Sequence, residues 1–594
     1  MATITKRVAV ATLGAAIALS AVAACSSSGG DEKTPTSGSP TAPTSTAPTS
    51  SSTPAGKKGG TLYYTTGTRS AEHWDPQRMY IGRDLAIAAK LFMRNLTQLG
   101  PNNELLPDLA TTTGEASTDL KTWSFTLRTD AKWEDGSTIT CEDVKYGASR
   151  TYAQDIITGG PTYAFQFLDI PATPNDKAFA TTYHGPYTKV GQADFDKAVS
   201  CAGDKITFKL KKPVGDFNYA VSTALGEFAA FKASQDKGDK SNFAVFSAGP
   251  YKLEGTWDVA KHGTFVRNDN FDPASDPAGL RAAFPDKIVF LPEMPTETVY
   301  DRLLKDAGED KNLITDRNAP PAYLARAAAQ AARFVNSNSP YNWYLTPNFK
   351  TLTNPKVREA LAKSTDVEAY IAAEGGPSVA VPATGIVNPG LGESGGYKKF
   401  DPVRPVPADF EGAKALLKEA GVKIPYPIHY TYQGGTPTSD KTAAALKAGW
   451  EKAGFAVTLE GLSDTYYDVI QKPSNAEKYD VTQAGWGADW PSASTVIPPL
   501  FDSRVNLSSS SNGSDYGWYK NDATNAAMDA AFAEPDPAKA AADWAAIDES
   551  LAKEVAYIPL DITKNIRLYG SNVNYVDNDG TNGFPDLGAI SLKS

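Results

Sequence analysis

A G-x-S-x-G pattern around Ser394 is the motif in this sequence that most resembles a catalytic site. In hydrolases this pattern places a nucleophilic serine on a sharp turn between an apolar strand and a helix. Residues 388–391 and 397–402, which flank the pattern, contain Gly, Pro, Asn and Lys and are typical of loops. We therefore predict no catalytic residue and a non-enzymatic protein, with a secreted serine hydrolase as the less favoured alternative.

Metal ligands are sparse and badly spaced. The segment 577–580 begins like a calcium loop, but its glycine falls two positions early and no glutamate closes it, so a tight turn is predicted. The histidines lack the i,i+4 or short loop spacing of zinc ligands; they are His73, His184, His262 and His429. No phosphate-binding loop is present, and we predict neither a metal nor a cofactor.

The cysteines suggest export and a crosslink. Cys141 and Cys201 are the two cysteines after Cys25, and in an oxidising compartment they most simply form a disulfide. Closing a loop of this length would contribute roughly 4 kcal/mol in the chain-entropy model. Two buried free thiols are the alternative.

Cys25 stands at the end of a predicted export signal. Lys6 and Arg7 precede an uncharged stretch over 8–24, which is typical of a secretory signal and shorter than the ~20 apolar residues of a membrane span. Residues 22–25, Val-Ala-Ala-Cys, resemble the bacterial lipobox, in which the cysteine is acylated and becomes residue one. We predict a signal peptide over 1–24 and a lipid on Cys25 that holds the protein at the extracytoplasmic face of the cell membrane. A plain signal peptide with a chance cysteine is the alternative.

Residues 25–58 are predicted to be a disordered linker, because Ser, Thr, Pro, Gly and Ala cannot bury enough apolar surface to order it. Removing Lys6 and Arg7 with the signal takes the net charge from −10 to −12. Such an acidic chain argues against a nucleic-acid partner, which requires a basic stripe.

Strand and helix patterns alternate along the rest of the chain. Period-two alternation predicts a strand over 123–128, and Thr140 with Asp143 three residues later predicts a helix start. This helix is expected to run to Tyr152. Further strands are expected at 59–65, 205–210, 264–267, 288–291, 429–432 and 456–459, and further helices at 84–96, 355–363, 410–420, 441–453 and 537–554. The class is therefore α/β or α+β.

Eight short phrases then occur in one order. They are L-P-D-L-A at 106–110, W-S-F-T-L-R at 123–128, W-E-D-G-S with C-E-D-V-K-Y over 133–146, A-G-P-Y at 248–251, V-R-N at 266–268, N-P-K-V-R-E-A-L at 354–361, A-K-A-L-L-K-E-A-G at 413–421 and Y-I-P-L at 557–560. In this order they resemble the large solute-binding proteins of ABC importers, in the group (family 5) of oligopeptide- and dipeptide-binding proteins. The resemblance runs from Gly59 to about Val576.

The resemblance implies an α/β, two-lobed fold of the periplasmic-binding-protein type, whose lobes are joined by a hinge and close over a ligand. Lobe 1 would comprise 59–317 and 558–594, with an extra subdomain over about 100–225 that would contain the Cys141–Cys201 bond. Lobe 2 would comprise 318–557. The protein would be a monomer that delivers a small peptide to an ABC permease in the membrane.

The resemblance also implies a ligand site. Residues 485–491, Gly-Trp-Gly-Ala-Asp-Trp-Pro, are similar to a family segment whose aspartate pairs with the α-ammonium of a bound peptide. Asp489 would take that role, and Trp486 and Trp490 would form flat walls. Asp489 as a cap of the turn before Pro491 is the alternative.

On the opposite lobe, Trp74 and Tyr80 follow the first strand, where family members line the cleft. Core packing is the alternative for both. Residues 492–494 depart from the family pattern, so an oligosaccharide or a metal chelate remains an alternative cargo on the same fold.

Overall fold

The structure is a computed structural model. It describes residues 56–67, 70–173, 179–276, 279–463, 465–509, 511–577 and 582–594. The predicted signal peptide, Cys25 and nearly all of the predicted linker lie outside this part of the chain. No helix within the described ranges is long and apolar enough to cross a membrane.

The strands, in chain order, are β1 (Thr61–Thr65), β2 (Thr97–Leu99), β3 (Leu105–Pro107), β4 (Glu115–Ala116), β5 (Thr122–Thr126), β6 (Val199–Ala202), β7 (Lys205–Lys209), β8 (Tyr251–Asp258), β9 (His262–Arg267), β10 (Lys287–Phe290), β11 (Leu313–Thr315), β12 (Phe334–Pro347), β13 (Ala380–Pro382), β14 (Tyr426–Gln433), β15 (Phe455–Leu462), β16 (Val481–Gly487), β17 (Ile558–Leu568), β18 (Val573–Asn574) and β19 (Ser591–Leu592).

The α-helices are α1 (Gly82–Leu91), α2 (Cys141–Arg150), α3 (Tyr163–Phe167), α4 (Gln192–Ala198), α5 (Phe217–Ala220), α6 (Thr296–Lys305), α7 (Leu324–Ala328), α8 (Pro355–Lys363), α9 (Val367–Glu374), α10 (Phe410–Glu419), α11 (Pro437–Lys452), α12 (Tyr466–Ile470), α13 (Ile497–Phe501), α14 (Ser503–Asn506), α15 (Asp522–Ala533) and α16 (Pro537–Lys553). The predicted α/β class is confirmed.

Two mixed sheets form the framework. The first has the strand order β11-β1-β10-β9-β8, with β1 parallel to both of its neighbours. The second has the order β13-β17-β12-β16-β14-β15, and its parallel pair β14–β15 is connected through α11. The strands of the first sheet all fall within 59–317. Those of the second fall within 318–557, apart from β17, and the lobe boundaries stay a prediction.

A separate antiparallel sheet, ordered β4-β5-β7-β6, lies within the segment predicted to form the extra subdomain. Helix α2 begins beside it with the predicted cap: the Thr140 hydroxyl accepts the Asp143 N–H, and the Asp143 carboxylate accepts the Thr140 N–H. Cys141 in α2 is bonded to Cys201 in β6, with 6.0 Å between their Cα atoms. The disulfide therefore ties the helix start to the sheet.

Helix α1 is shorter than its periodicity predicts. The pattern extends to residue 96, but the helix ends at Leu91 because the following residues serve a buried ion network. The Arg94 guanidinium and the Asn95 N–H both donate to the Asp108 carboxylate, which Arg281 also contacts at 3.0 Å. These three charged side chains are almost completely buried, so their mutual pairing outweighs the helical preference.

Candidate ligand-binding site

Strand β16 carries the predicted binding segment to the edge of a cavity. It runs antiparallel to β12, so Gly485 lies opposite Trp343 and Gly487 lies opposite Tyr341. A Cβ on Gly487 would lie 2.6 Å from the Tyr341 ring, and one on Gly485 would lie 3.1 Å from the Trp343 ring. Glycine at these two positions therefore lets the aromatic rings of β12 lie over the strand.

Thr495 holds the loop that follows β16. Its hydroxyl accepts the Asp489 N–H at 3.0 Å and lies 2.9 Å from the Ser492 carbonyl. Its carbonyl accepts the Trp486 indole N–H at 2.9 Å. These contacts fix both Asp489 and Trp486 relative to the cavity.

The Asp489 carboxylate is held by two hydroxyls from distant parts of the chain. Tyr80 donates to Oδ2 at 3.0 Å, and Tyr163 donates to the same oxygen at 2.6 Å. Among the described residues no side chain or N–H donates to the other oxygen, Oδ1. Enclosure raises the pKa of Asp489 to about 6, although the two hydroxyls act in the opposite direction by stabilising the carboxylate.

The cavity at Asp489, called here the Asp489 cavity, has a volume of about 210 Å³. Distant segments meet in its wall, so it lies where the two predicted lobes face each other. Its lining residues are Tyr80, Gly82, Leu85, Ala224, Tyr341, residues 485–489 and Asn582. The structure thus brings together three of the predicted site residues: Asp489, Trp486 and Tyr80.

Trp490 does not line this cavity, in contrast to the expectation that it forms a ligand wall. Its side chain is fully buried, with the ring 4.7 Å from that of Tyr163. Its indole N–H donates to the Asp216 carboxylate at 2.9 Å, which satisfies the polar atom that burial would otherwise leave unpaired. In this structure Trp490 joins 485–491 to the segment around Asp216.

Trp74 is also absent from the cavity wall, and the geometry favours the core-packing alternative. It is 2 % exposed and packs edge-to-face against Phe92, Trp257 and Phe265, with ring centroids 5.1 to 6.3 Å apart. Such an aromatic cluster is stabilised by burial and by ring geometry. Trp74 therefore packs against aromatic residues of the first sheet and does not line the Asp489 cavity.

Sequence reasoning missed Tyr163 and Glu227. Glu227 is completely buried, and its Oε1 accepts the Ala164 N–H at 2.8 Å, at the start of the short helix that carries Tyr163. Burial, together with the nearby Asp489 charge, raises the pKa of Glu227 to about 8. Neither residue stands in a motif, because only the tertiary fold brings 163 and 227 beside 489.

The geometry gives little support to a serine hydrolase or to a metal site. Ser394 is exposed in a short 3₁₀ turn, Glu393–Gly395, rather than between a strand and a helix, as its loop-like flanks predict. Across the described ranges no group of three or more His, Cys, Asp or Glu side chains is arranged to hold a metal ion.

Relatives with known roles resemble most of the chain. The periplasmic oligopeptide-binding protein OppA of Haemophilus influenzae is 26% identical over 484 residues, which cover 76% of this chain and 80% of OppA. The glutathione-binding protein GsiB of Salmonella typhimurium is 24% identical over 464 residues, covering 77% of this chain and 80% of GsiB.

Solved structures share the fold. The clavulanic acid biosynthesis oligopeptide binding protein 2 superposes with a TM-score of 0.81 and 24% identity, over 91% of this chain and 97% of that protein. Haemophilus influenzae OppA in complex with the peptide RPPGFSPFR gives 0.65 and 20% identity, over 91% and 100%. The predicted two-lobed α/β fold is confirmed by these matches, while the hinge stays a prediction.

The family described as bacterial extracellular solute-binding proteins, family 5 Middle, matches residues 104–508, well over half of the 594 residues. The chain therefore belongs to family 5 of the bacterial extracellular solute-binding proteins.

Proposed function

We propose that this protein captures peptides by their free amino terminus in the Asp489 cavity and delivers them to an ABC permease. The observation that carries the proposal is the Asp489 carboxylate itself. One of its oxygens accepts two tyrosine hydroxyls, and the other faces no protein donor among the described residues. A peptide ammonium has the charge and the hydrogen-bond donors that this oxygen can accept.

The two tyrosines support a capture mechanism based on closure. Tyr80 and Tyr163 belong to the predicted lobe 1, and Asp489 belongs to the predicted lobe 2. A ligand that contacts both lobes favours the closed state, because it makes all of its contacts only there. Closure also excludes water, which strengthens each polar contact inside the cavity.

Attachment to the membrane forms part of the same proposal. A lipid on Cys25 and a linker over 25–58, which as a flexible coil would span roughly 30 Å, would keep the receptor close to its permease on the extracytoplasmic face. The family assignment and the names of the peptide-binding relatives support this role. Metabolic labelling with a palmitate analogue, compared between the native protein and Cys25→Ala, tests the anchor.

Calorimetry with the purified protein tests peptide capture. We expect tri-alanine to bind and N-acetyl-tri-alanine to bind at least 30-fold more weakly, because acetylation removes the charge that Asp489 accepts. Equal affinity for the two peptides would contradict the role of Asp489.

A non-peptide cargo and a hydrolase are the competing functions. Native mass spectrometry of the protein as purified would reveal a co-captured oligosaccharide or metal chelate by its mass. For the hydrolase, we expect no turnover of peptide or ester substrates and no effect of Ser394→Ala on any residual signal. Multi-turnover hydrolysis that this variant abolishes would overturn the receptor assignment.

A further inference from the structure

Among the described residues that line the Asp489 cavity, Asp489 has the only charged side chain. Tyr80, Tyr341 and Trp486 provide aromatic surface, Asn582 provides an amide, and the other lining residues are small or aliphatic. Within the described part of the chain no Lys, Arg or His lines the cavity. The wall can therefore accept a cation, but it offers no charged partner to an anion.

A second acid lies close to the first. The Glu227 carboxyl group is completely buried near Asp489, and its Oε2 has no hydrogen-bond partner in the described structure. Arg567 is close enough to interact electrostatically with Tyr341, which lines the cavity. Its guanidinium is paired with the Asp577 carboxylate at 3.0 Å. With its pKa raised to about 8, the Glu227 carboxyl group is largely protonated at pH 7 and adds little charge, and the paired Arg567 guanidinium does not line the cavity.

This charge distribution restricts where a ligand can carry its carboxylate. In an extended chain each residue spans about 3.3–3.6 Å, so a dipeptide carboxylate lies ~7 Å from its ammonium. A carboxylate held that close to the enclosed Asp489 is repelled by it, and no described lining residue offers it a cationic partner. In a pentapeptide the separation is ~17 Å, which exceeds the Debye length of about 8 Å at physiological salt.

We propose that the Asp489 cavity selects ligands by the distance between their amino group and their first negative charge. It takes amines whose carboxylate is masked or lies several residues away, and it rejects free amino acids and free-acid dipeptides. This inference rests on the proposed capture of an amino terminus at Asp489 and specifies which amines are accepted.

A length series in two chemical forms tests the proposal. Alanine peptides of two to five residues, each as free acid and as C-terminal amide, are titrated into the purified protein at pH 7. We expect the dipeptide amide to bind at least tenfold more tightly than the free acid. The ratio should fall with each added residue and reach about twofold or less at five residues.

Placing a cation in the wall provides a second measurement. Asn582→Lys adds an ammonium to the cavity lining, and we expect it to reduce the tenfold amide preference of the dipeptide to threefold or less. Asn574→Lys makes the same chemical change at an exposed position of β18 and should leave the preference unchanged. Circular dichroism establishes that both variants are folded.

The outcomes separate this inference from the function on which it rests. If acid and amide forms bind equally at every length and Asp489→Asn weakens both, amine capture stands and the charge-distance rule is overturned. If no peptide of the series binds, or if Asp489→Asn has no effect, the capture mechanism itself is wrong. A ratio that falls with length, together with loss of the preference in Asn582→Lys, supports the proposal.

Discussion

Asp489 and Asp548 are two enclosed aspartates with the same electrostatic signature and different surroundings. Burial raises the pKa of each to about 6, and each accepts a tyrosine hydroxyl. For Asp548 the donors are Tyr557 and the N–H groups of Ile386 and Val387, which together occupy both carboxylate oxygens. For Asp489 both donors meet one oxygen and come from segments of the predicted lobe 1, whereas Asp489 belongs to the predicted lobe 2.

The difference teaches that a raised pKa alone does not identify a binding carboxylate. Asp548 is 1 % exposed, and its hydrogen-bond donors all belong to its own predicted lobe. Its role is therefore to hold segments of that lobe together. Asp489 lines a cavity and keeps one oxygen available. An oxygen without a donor among the described residues, and partners from the other predicted lobe, are the features on which the proposed ligand role rests.

Neutralising each aspartate in turn is the strongest test of the difference between Asp489 and Asp548. We expect Asp489→Asn to weaken binding of tri-alanine roughly 100-fold, because the ammonium then loses its charged partner in an enclosed site. Asp548→Asn is the matched control and should change affinity less than threefold. Calorimetry on both variants provides the measurement, and a similar loss in the two would remove the distinction.

Acidification should separate ligand affinity from stability. Protonation of Asp489 below its pKa of about 6 removes the negative charge, so we expect about tenfold weaker binding at pH 5 than at pH 7.5. The contribution of Asp489 and Asp548 to the stability of the ligand-free protein should change in the opposite direction. Between pH 4 and 6 the folded state binds more protons at Asp489 and Asp548 than the unfolded state, so these two groups make unfolding less favourable as the pH falls.

Calorimetry and urea unfolding across this pH range measure both effects. An affinity that stays flat from pH 7.5 to 5 would contradict a carboxylate role for Asp489. In Asp548→Asn the affinity profile should be retained, while the pH dependence of stability becomes shallower.

The two hydroxyls on Asp489 should contribute unequally. Because each stabilises the carboxylate, removing either raises the pKa of Asp489, and the shorter bond from Tyr163 has the larger effect. We expect Tyr163→Phe to reduce tri-alanine affinity three- to tenfold at pH 7 and Tyr80→Phe to reduce it less. The pH midpoint of binding should move upward in the same order, whereas a midpoint that does not move would indicate packing effects only.

Removing the tyrosine hydroxyl that donates to Asp548 tests the structural role of this second aspartate. Tyr557→Phe takes away one donor from a fully enclosed carboxylate, which costs about 1–3 kcal/mol of unfolding free energy. Ligand affinity should change less than twofold. Urea denaturation and calorimetry on the same preparation test both statements.

Local signals predicted local structure well. The cap of α2 at Thr140 was predictable because its two partners, Thr140 and Asp143, are three residues apart. The end of α1 was not predictable, because Arg94 and Asn95 lie beyond the helix and donate to Asp108. The distant Arg281 contacts the same carboxylate. Tertiary pairing overrides periodicity at such a point.

The candidate binding site shows the same division between residues that the sequence predicts and residues that only the tertiary fold reveals. Asp489 and Trp486 lie in a recognisable segment, and Tyr80 follows the first strand. Tyr163 is 326 residues from Asp489 and carries no motif, so its hydrogen bond could not be read from spacing. Trp74 and Trp490 look like binding aromatics in the sequence, but only the packing around an indole reveals whether it meets a ligand or the core.

Asp489 has the only charged side chain among the described residues of the cavity wall, and under the proposed distance rule this also decides which molecules compete for the site. A medium that contains digested protein holds free amino acids beside peptides, and every one of them has the amino group that Asp489 is proposed to accept. Under the proposed distance rule each also brings a carboxylate too close to that acid. Single amino acids would then be poor competitors even in excess, and the receptor would stay open to longer chains.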